Sequence, residues 1–296
     1  MMKLEWPSRT SADSASLRMA FLLNFGFTLL ELVGGMLTNS LAIISGAVHD
    51  LGDTLSLGLA WYLNNYSEQG RDRWYSYGYS RFSLLGALVT ALGMTVGSLI
   101  VLSEAVPRLL HPEAPKAGGM ILIALIGIVV NGLAVVRVKG GQTLNARLVM
   151  WHLLGDVLGW VAVLSVSIVL LFKNVPILDP LLAILITLYV LVNVLRNLKK
   201  VAQLFLQSVP GTVDVGEIEK KLLAIEKVTS VHHTHVWSLD GEHNVLTTHL
   251  VIETAATKED LLLIRSRVRS VLEPLNFEHT TVEIGCENEF CPMKGR

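Results

Sequence analysis

Two short runs of this 296-residue chain carry an imidazole and a carboxylate at the same spacing: His49, Asp50 and Asp53 in AVHDLGDTLS, and His152 and Asp156 in WHLLGDVLG. Residues four apart on a helix lie on one face, one turn above the other. His49 with Asp53, and His152 with Asp156, therefore each present one nitrogen and one oxygen ligand together. Two such helices face to face offer two imidazoles and two carboxylates, a tetrahedral shell suited to zinc at about 2.0–2.2 Å. Cobalt(II) fits nearly as well, and manganese or iron(II) less well because the set is nitrogen-rich. Magnesium and calcium prefer more oxygen ligands. Asp50 is one residue out of phase with the His49–Asp53 face, which makes it a supporting or gating carboxylate. A single buried His or Asp is as readily explained by a helix-packing hydrogen bond. The repetition of the pair is what favours a metal.

The helices that hold these pairs must sit in an apolar setting. Hydrophobic residues make up 51% of the chain and charged residues 17%, against about 25% charged in soluble domains. A formal net charge of -1 argues against nucleic-acid binding. A bilayer crossing needs about 20 mainly apolar residues, and six stretches qualify, near 16–38, 40–65, 82–106, 118–138, 148–172 and 178–197. The first has no small-residue cleavage site after it and reads as a retained helix. Both His-Asp pairs fall in mid-span, where ionisable side chains are costly and are taken as functional. Asn24, Glu31, Glu104 and Asn131 are weaker cases, lining the same path or joining helices. Gly34, Gly35, Gly93, Gly97, Gly155 and Gly159 allow close helix approach.

Basic residues of the short loops set the orientation. Lys3, Arg9, Arg18, Arg71, Arg73, Arg81, Arg137, Lys139, Arg147, Arg196, Lys199 and Lys200 lie on one side, and Arg108, Lys116 and Lys173 on the other. Both termini are therefore expected in the cytoplasm. The expected domains are a six-helix transmembrane unit over 1–207 and a soluble α+β unit over 208–296. In the latter, a helix over 214–226 begins at Asp214, a good cap. Strands follow over 228–238 and 244–254 with Asp240-Gly241 as the turn signal. A helix over 257–273 opens on a capping-box pattern, Thr257 with Asp260, and a last strand covers 277–285.

The chain resembles the cation diffusion facilitator family of metal exporters. The resemblance rests on Asn24 and Glu31, HDLGD at 49–53, YGYSR at 77–81, HLLGD at 152–156, Asp179-Pro180, and HHTHVWSL at 232–239. It implies a homodimer in a lipid bilayer, each subunit with six helices and a ferredoxin-like cytoplasmic domain, exchanging a metal ion for protons. It places the transport site on His49, Asp53, His152 and Asp156. His49 at the first position resembles zinc-preferring members. The loop RVKGGQTLNAR has no His, so no metal capture is expected there. The resemblance also implies a cytoplasmic, regulatory Zn2+ site on His232 and His249 with Glu283, or Glu287. His233, His235, His243 and His279 leave that choice open, since 233, 235 and 249 share a strand face as readily as plain surface histidines. Cys286 and Cys291 resemble C-terminal thiols that add ligands in some members, and are equally readable as inert thiols.

Ligand atoms must be deprotonated to bind metal, so zinc and protons compete for one site. Such a site, opened in turn to each side, exports zinc down a proton gradient. No His-Glu-x-x-His occurs, so an intramembrane metalloenzyme is disfavoured. A membrane metal sensor that binds without carrying shares every one of these residues. The absence of an organelle address points to a bacterial plasma membrane.

Overall fold

The computed structural model describes residues 11–67, 71–138, 144–287 and 289; of these, the side chains at 11–20, 57, 60, 61, 63–67, 137, 138 and 144–152 are outside the description. Six long helices come first: α1 (Ser11–Thr38), α2 (Leu41–Ser67), α3 (Phe82–Leu110), α4 (Ala117–Val138), α5 (Leu144–Phe172) and α6 (Leu178–Phe205). Five of them are long and apolar enough to cross a membrane, judged on the described residues; α2, which holds the polar run 49–54, is outside that count. α3 continues past Pro107 to Leu110. α6 runs beyond its apolar part to Phe205, because Lys199, Lys200 and Gln203 are good helix formers that keep the helix going after its hydropathy falls.

The chain divides into two units, Met1–Tyr66 with Leu85–Leu198, and Ser67–Leu84 with Lys199–Arg296. The first is apolar outside and polar inside. Leu22, Val33, Leu99, Leu122, Leu133 and Leu158 are exposed, while Thr28, Glu31, Ser45, Thr54, Ser98, Asp179 and Thr187 are buried. Water does not tolerate so broad an exposed apolar surface; lipid does. Phe27, Ile43, Met120, Ile123, Trp160 and Val163 form its core. Close approaches set the packing. A methyl added at Gly35 would meet Ile44 at 2.7 Å, and one at Gly97 would meet Val48 at 2.9 Å. Gly155 and Gly159 have open space instead.

Between α1 and α2 the chain reverses at Asn39, whose left-handed φ of 55° ends α1. Ser40 then caps α2, its hydroxyl accepting from the Ile43 amide at 3.3 Å. A carboxylate from α6 completes the cap. Asp179, 1% exposed, accepts from the Ser40 hydroxyl at 2.5 Å and from the amides of Leu41 at 2.7 Å and Ala42 at 3.3 Å. Deeper between the two helices, one turn into α2 and more than two turns into α6, the Ser45 and Thr187 hydroxyls bond at 2.7 Å.

The second unit runs α7 (Val215–Leu223), β1 (Val228–Ser238), β2 (Asn244–Ile252), α8 (Lys258–Leu272), a short 3-10 turn, and β3 (His279–Cys286). This is the ferredoxin-like order without an opening strand among the described residues. Asp214 caps α7 by accepting from the Glu217 amide, and Thr257 and Asp260 form both bonds of a capping box on α8. The sheet order is β1-β2-β3, antiparallel between β1 and β2 and parallel between β2 and β3. Val236, Leu246, Leu250 and Ile252 pack on Ile218, Leu222, Ile264, Val268 and Leu272, so both helices cover one face of the sheet. The turn after β1 is a loop over 239–243, centred on Asp240-Gly241 as the sequence signals, with Gly241 at φ 103°. The Asp240 carboxylate accepts from the Glu242 and His243 amides and meets His243 Nδ1 at 2.6 Å, which holds a wider loop closed.

Candidate metal centres

The α2 cluster follows from helix geometry. His49, Asp50 and Asp53 each offer a ligand atom within 4.8 Å of one another. Asp50, out of phase by spacing, thus still reaches the same point. α5 contributes Asp156, whose Oδ1 stands 3.4 Å from His49 Nε2. Two donors each about 2.1 Å from a tetrahedral ion are about 3.4 Å apart, so this separation across two helices suits two ligands of one metal, and equally a direct His–carboxylate ion pair. His152 lies one turn before Asp156 on α5, and its side chain is outside the described residues.

Around these groups α1 supplies a polar seam. The Asn24 amide donates to the Asp50 carbonyl at 3.2 Å and to the Thr54 hydroxyl at 2.9 Å, and Thr28 and Thr54 bond at 3.1 Å. Glu31, two turns after Asn24 and wholly buried, lies against Asp50. The other weak candidates fall elsewhere. Glu104 is exposed, and Asn131 donates to the Gly127 carbonyl of its own helix. Sequence reasoning missed the partners of Asn24, since nothing in the spacing of α1 says that Thr54 will face it.

A second cluster sits on the face of the sheet away from α7 and α8. The strand register places His232 opposite His249, and His249 opposite Glu283, in one row across three strands. His249 Nε2 stands 3.2 Å from Glu283 Oε2, and the His232 and His249 rings are 5.7 Å apart. A bulge then alters which residues share that face. Three steps on β1, from His232 to His235, match two on β2, from His249 to Thr247. The extra residue lets His233 take a left-handed φ of 53°. Its ring lies 5.3 Å from that of His249, and its Nε2 is 3.3 Å from His235 Nε2. That pair is also at ligand spacing, and equally at that of a long hydrogen bond. Thr234 turns to the other face and bonds Thr248 at 2.9 Å.

The remaining tail candidates lie apart from this row. Cys286, three positions after Glu283, is exposed and of opposite strand parity. Glu287 is exposed just past the end of β3, its amide donating to the Ile252 carbonyl. His243 is held by Asp240, which raises its pKa above the ordinary histidine value. Cys291 lies outside the described residues.

Comparison with known proteins matches the same two regions. The family model for the cation efflux transmembrane domain covers residues 17–206, and that for the cytoplasmic domain of cation efflux proteins covers 210–284. The chain is 30% identical over 280 residues to the cadmium, cobalt and zinc/H(+)-K(+) antiporter of Bacillus subtilis, covering 93% of this chain and 90% of that protein. It is 33% identical over 273 residues to the metal cation efflux system protein CzcD of Cupriavidus metallidurans, covering 92% and 86%. It is 30% identical over 280 residues to the zinc transporter ZitB of Escherichia coli, covering 93% and 87%. With ionisable side chains gathered inside an apolar-faced helical unit and both family domains matched in order, the chain belongs to the cation diffusion facilitator family, a multi-pass membrane transporter of metal ions and not an enzyme.

Proposed function

We propose that this chain exports divalent metal, above all Zn2+, from the cytoplasm in exchange for protons, at a site formed by His49, Asp53, His152 and Asp156. The observation that carries the reading is the 3.4 Å approach of His49 Nε2 to Asp156 Oδ1 from separate helices. Zinc arriving from the cytoplasm displaces protons from these atoms; protons arriving from outside displace zinc. Cobalt(II) shares the ligand chemistry, and the names of the Bacillus subtilis and Escherichia coli relatives support a zinc cargo and, for the first, antiport. Asp50 and Glu31 lie beside the ligands and support their orientation.

The tail row His232, His249 and Glu283 suits a regulatory Zn2+, two nitrogens and one oxygen being an ordinary zinc set. His235 with His233 extends it. The protein acts as a homodimer, in keeping with the matched tail domain. It sits in a bacterial plasma membrane with both termini, and so the tail, in the cytoplasm. The domain boundary lies near residue 207.

The test uses the purified protein in liposomes holding a zinc dye, with and without a pH gradient, against Asp156→Ala. Zinc flux that requires the gradient and vanishes in the variant is the expected result. Flux without a gradient would make the protein a channel. Zinc bound by the wild type with no flux at all would make it a sensor.

A further inference from the structure

The segment between α2 and α3 belongs to the same unit as the tail, and its described part, residues 71–81, is a stapled strap. The Asp72 carboxylate accepts from the amides of Trp74 at 2.8 Å and Tyr75 at 2.7 Å and from the Tyr79 hydroxyl at 2.9 Å. These bonds hold its pKa below the usual carboxylate value. The rings of Tyr75, Tyr79 and Phe82 pack on one another at 4.6–5.4 Å. Gly78, at φ 75°, lets the strap turn directly after Tyr77.

Tyr77 lies against the sheet. Its ring is 6.5 Å from Trp237 on β1, edge-on at 84°, and 5.2 Å from His279 on β3. Trp237 and His279 are both register partners of Val245 on β2, so the three form one row, and Val245 between them is 1% exposed. Residues 245 and 249 differ by four, an even number, and so share a face. The aromatic row 237–245–279 and the histidine row 232–249–283 are therefore two rungs of one sheet face, about 13 Å apart. Each of the three strands contributes to both rungs.

We propose that Tyr77 is the positioning residue through which metal in the histidine row orders the strap over 71–81. A metal that fixes the relative placement of β1, β2 and β3 at one rung fixes the slot between Trp237 and His279 at the other. A seated Tyr77 then holds the strap. The inference rests on the reading of the tail row as a metal site and adds the element that reports it.

Hydrogen exchange on the full-length protein in lipid nanodiscs tests this, with and without zinc, for wild type, Tyr77→Phe, Tyr77→Ala and His249→Ala. In wild type, zinc is expected to slow exchange in both β1–β2 and residues 71–81, the strap by about tenfold, an ordinary size for coupling between two sites. Tyr77→Phe keeps the ring and keeps this response. Tyr77→Ala keeps the slowing in β1–β2, which also reports a folded tail, and loses it in the strap. His249→Ala loses both, which separates the tail site from zinc bound in the transmembrane unit. A strap that stays slow with zinc in Tyr77→Ala, or never responds while β1–β2 does, overturns the role of Tyr77. Strands that do not respond to zinc remove the tail site itself, and the inference with it.

Discussion

His49 and Asp156 face each other from α2 and α5, and Asp50 sits among them at a distance that its sequence position did not foretell. Alternation on a helix assigns residue 50 to a neighbouring direction. A carboxylate reaches two bonds beyond its Cβ, however, and 100° of rotation is small enough for that reach to matter. Asp50 is also held from behind, by the Asn24 amide on its carbonyl and by Glu31. Its role is best separated from that of the ligands by affinity. Calorimetric titration in a His249→Ala background, chosen to remove the proposed tail site, should find zinc binding weakened more than about 100-fold by Asp53→Asn or Asp156→Asn. Asp50→Asn should cost about tenfold, the size of an outer-shell loss. Equal losses at Asp50 and Asp53 would mean that both carboxylates bind the ion.

The elements were legible where local chemistry decides them. Apolar runs located the six long helices, Asp214 and Thr257 announced the starts of α7 and α8, and alternation gave the three strands. What was not legible is pairing between distant residues. The bulge at His233 depends on how β1 meets β2, and the cap that Asp179 places on α2 spans 138 residues of sequence to Leu41. The loop after β1 was legible in its place and its Asp-Gly signal, but not in its closure, since Asp240 bonds forward to residues 242 and 243. That loop has a pH signature. The Asp240 carboxylate raises the pKa of His243, so the pair stabilises the tail fully below about pH 6.5, the unfolded histidine value. The contribution fades as pH rises through the raised folded value. Thermal unfolding should show the tail transition falling in temperature across that window, and Asp240→Asn should flatten that part of the fall.

Across the whole chain, the placement of residues 67–84 with the tail was invisible to hydropathy, because a loop rich in Tyr and Arg reads as a plain connector between two spans. Its aromatic seat exists only once Trp237 and His279 are brought to either side of Val245. Asp179 has a comparable reach within the first unit. Loss of its carboxylate leaves two buried amides and the Ser40 hydroxyl without an acceptor, at about 1–3 kcal/mol each. Asp179→Ala should therefore lower resistance to SDS unfolding far more than Asp179→Asn, which retains one oxygen. The same bond bears on motion. A carrier must part its helices on each side of the membrane in turn, and parting is cheapest where nothing polar has to be unmade. At the end where Asp179 clasps residues 40–42, with Ser45 and Thr187 joined further in, α2 and α6 form a single jaw. The mouth on that side has to open along another seam, and a cysteine bridge between positions 42 and 183 should leave the pump running.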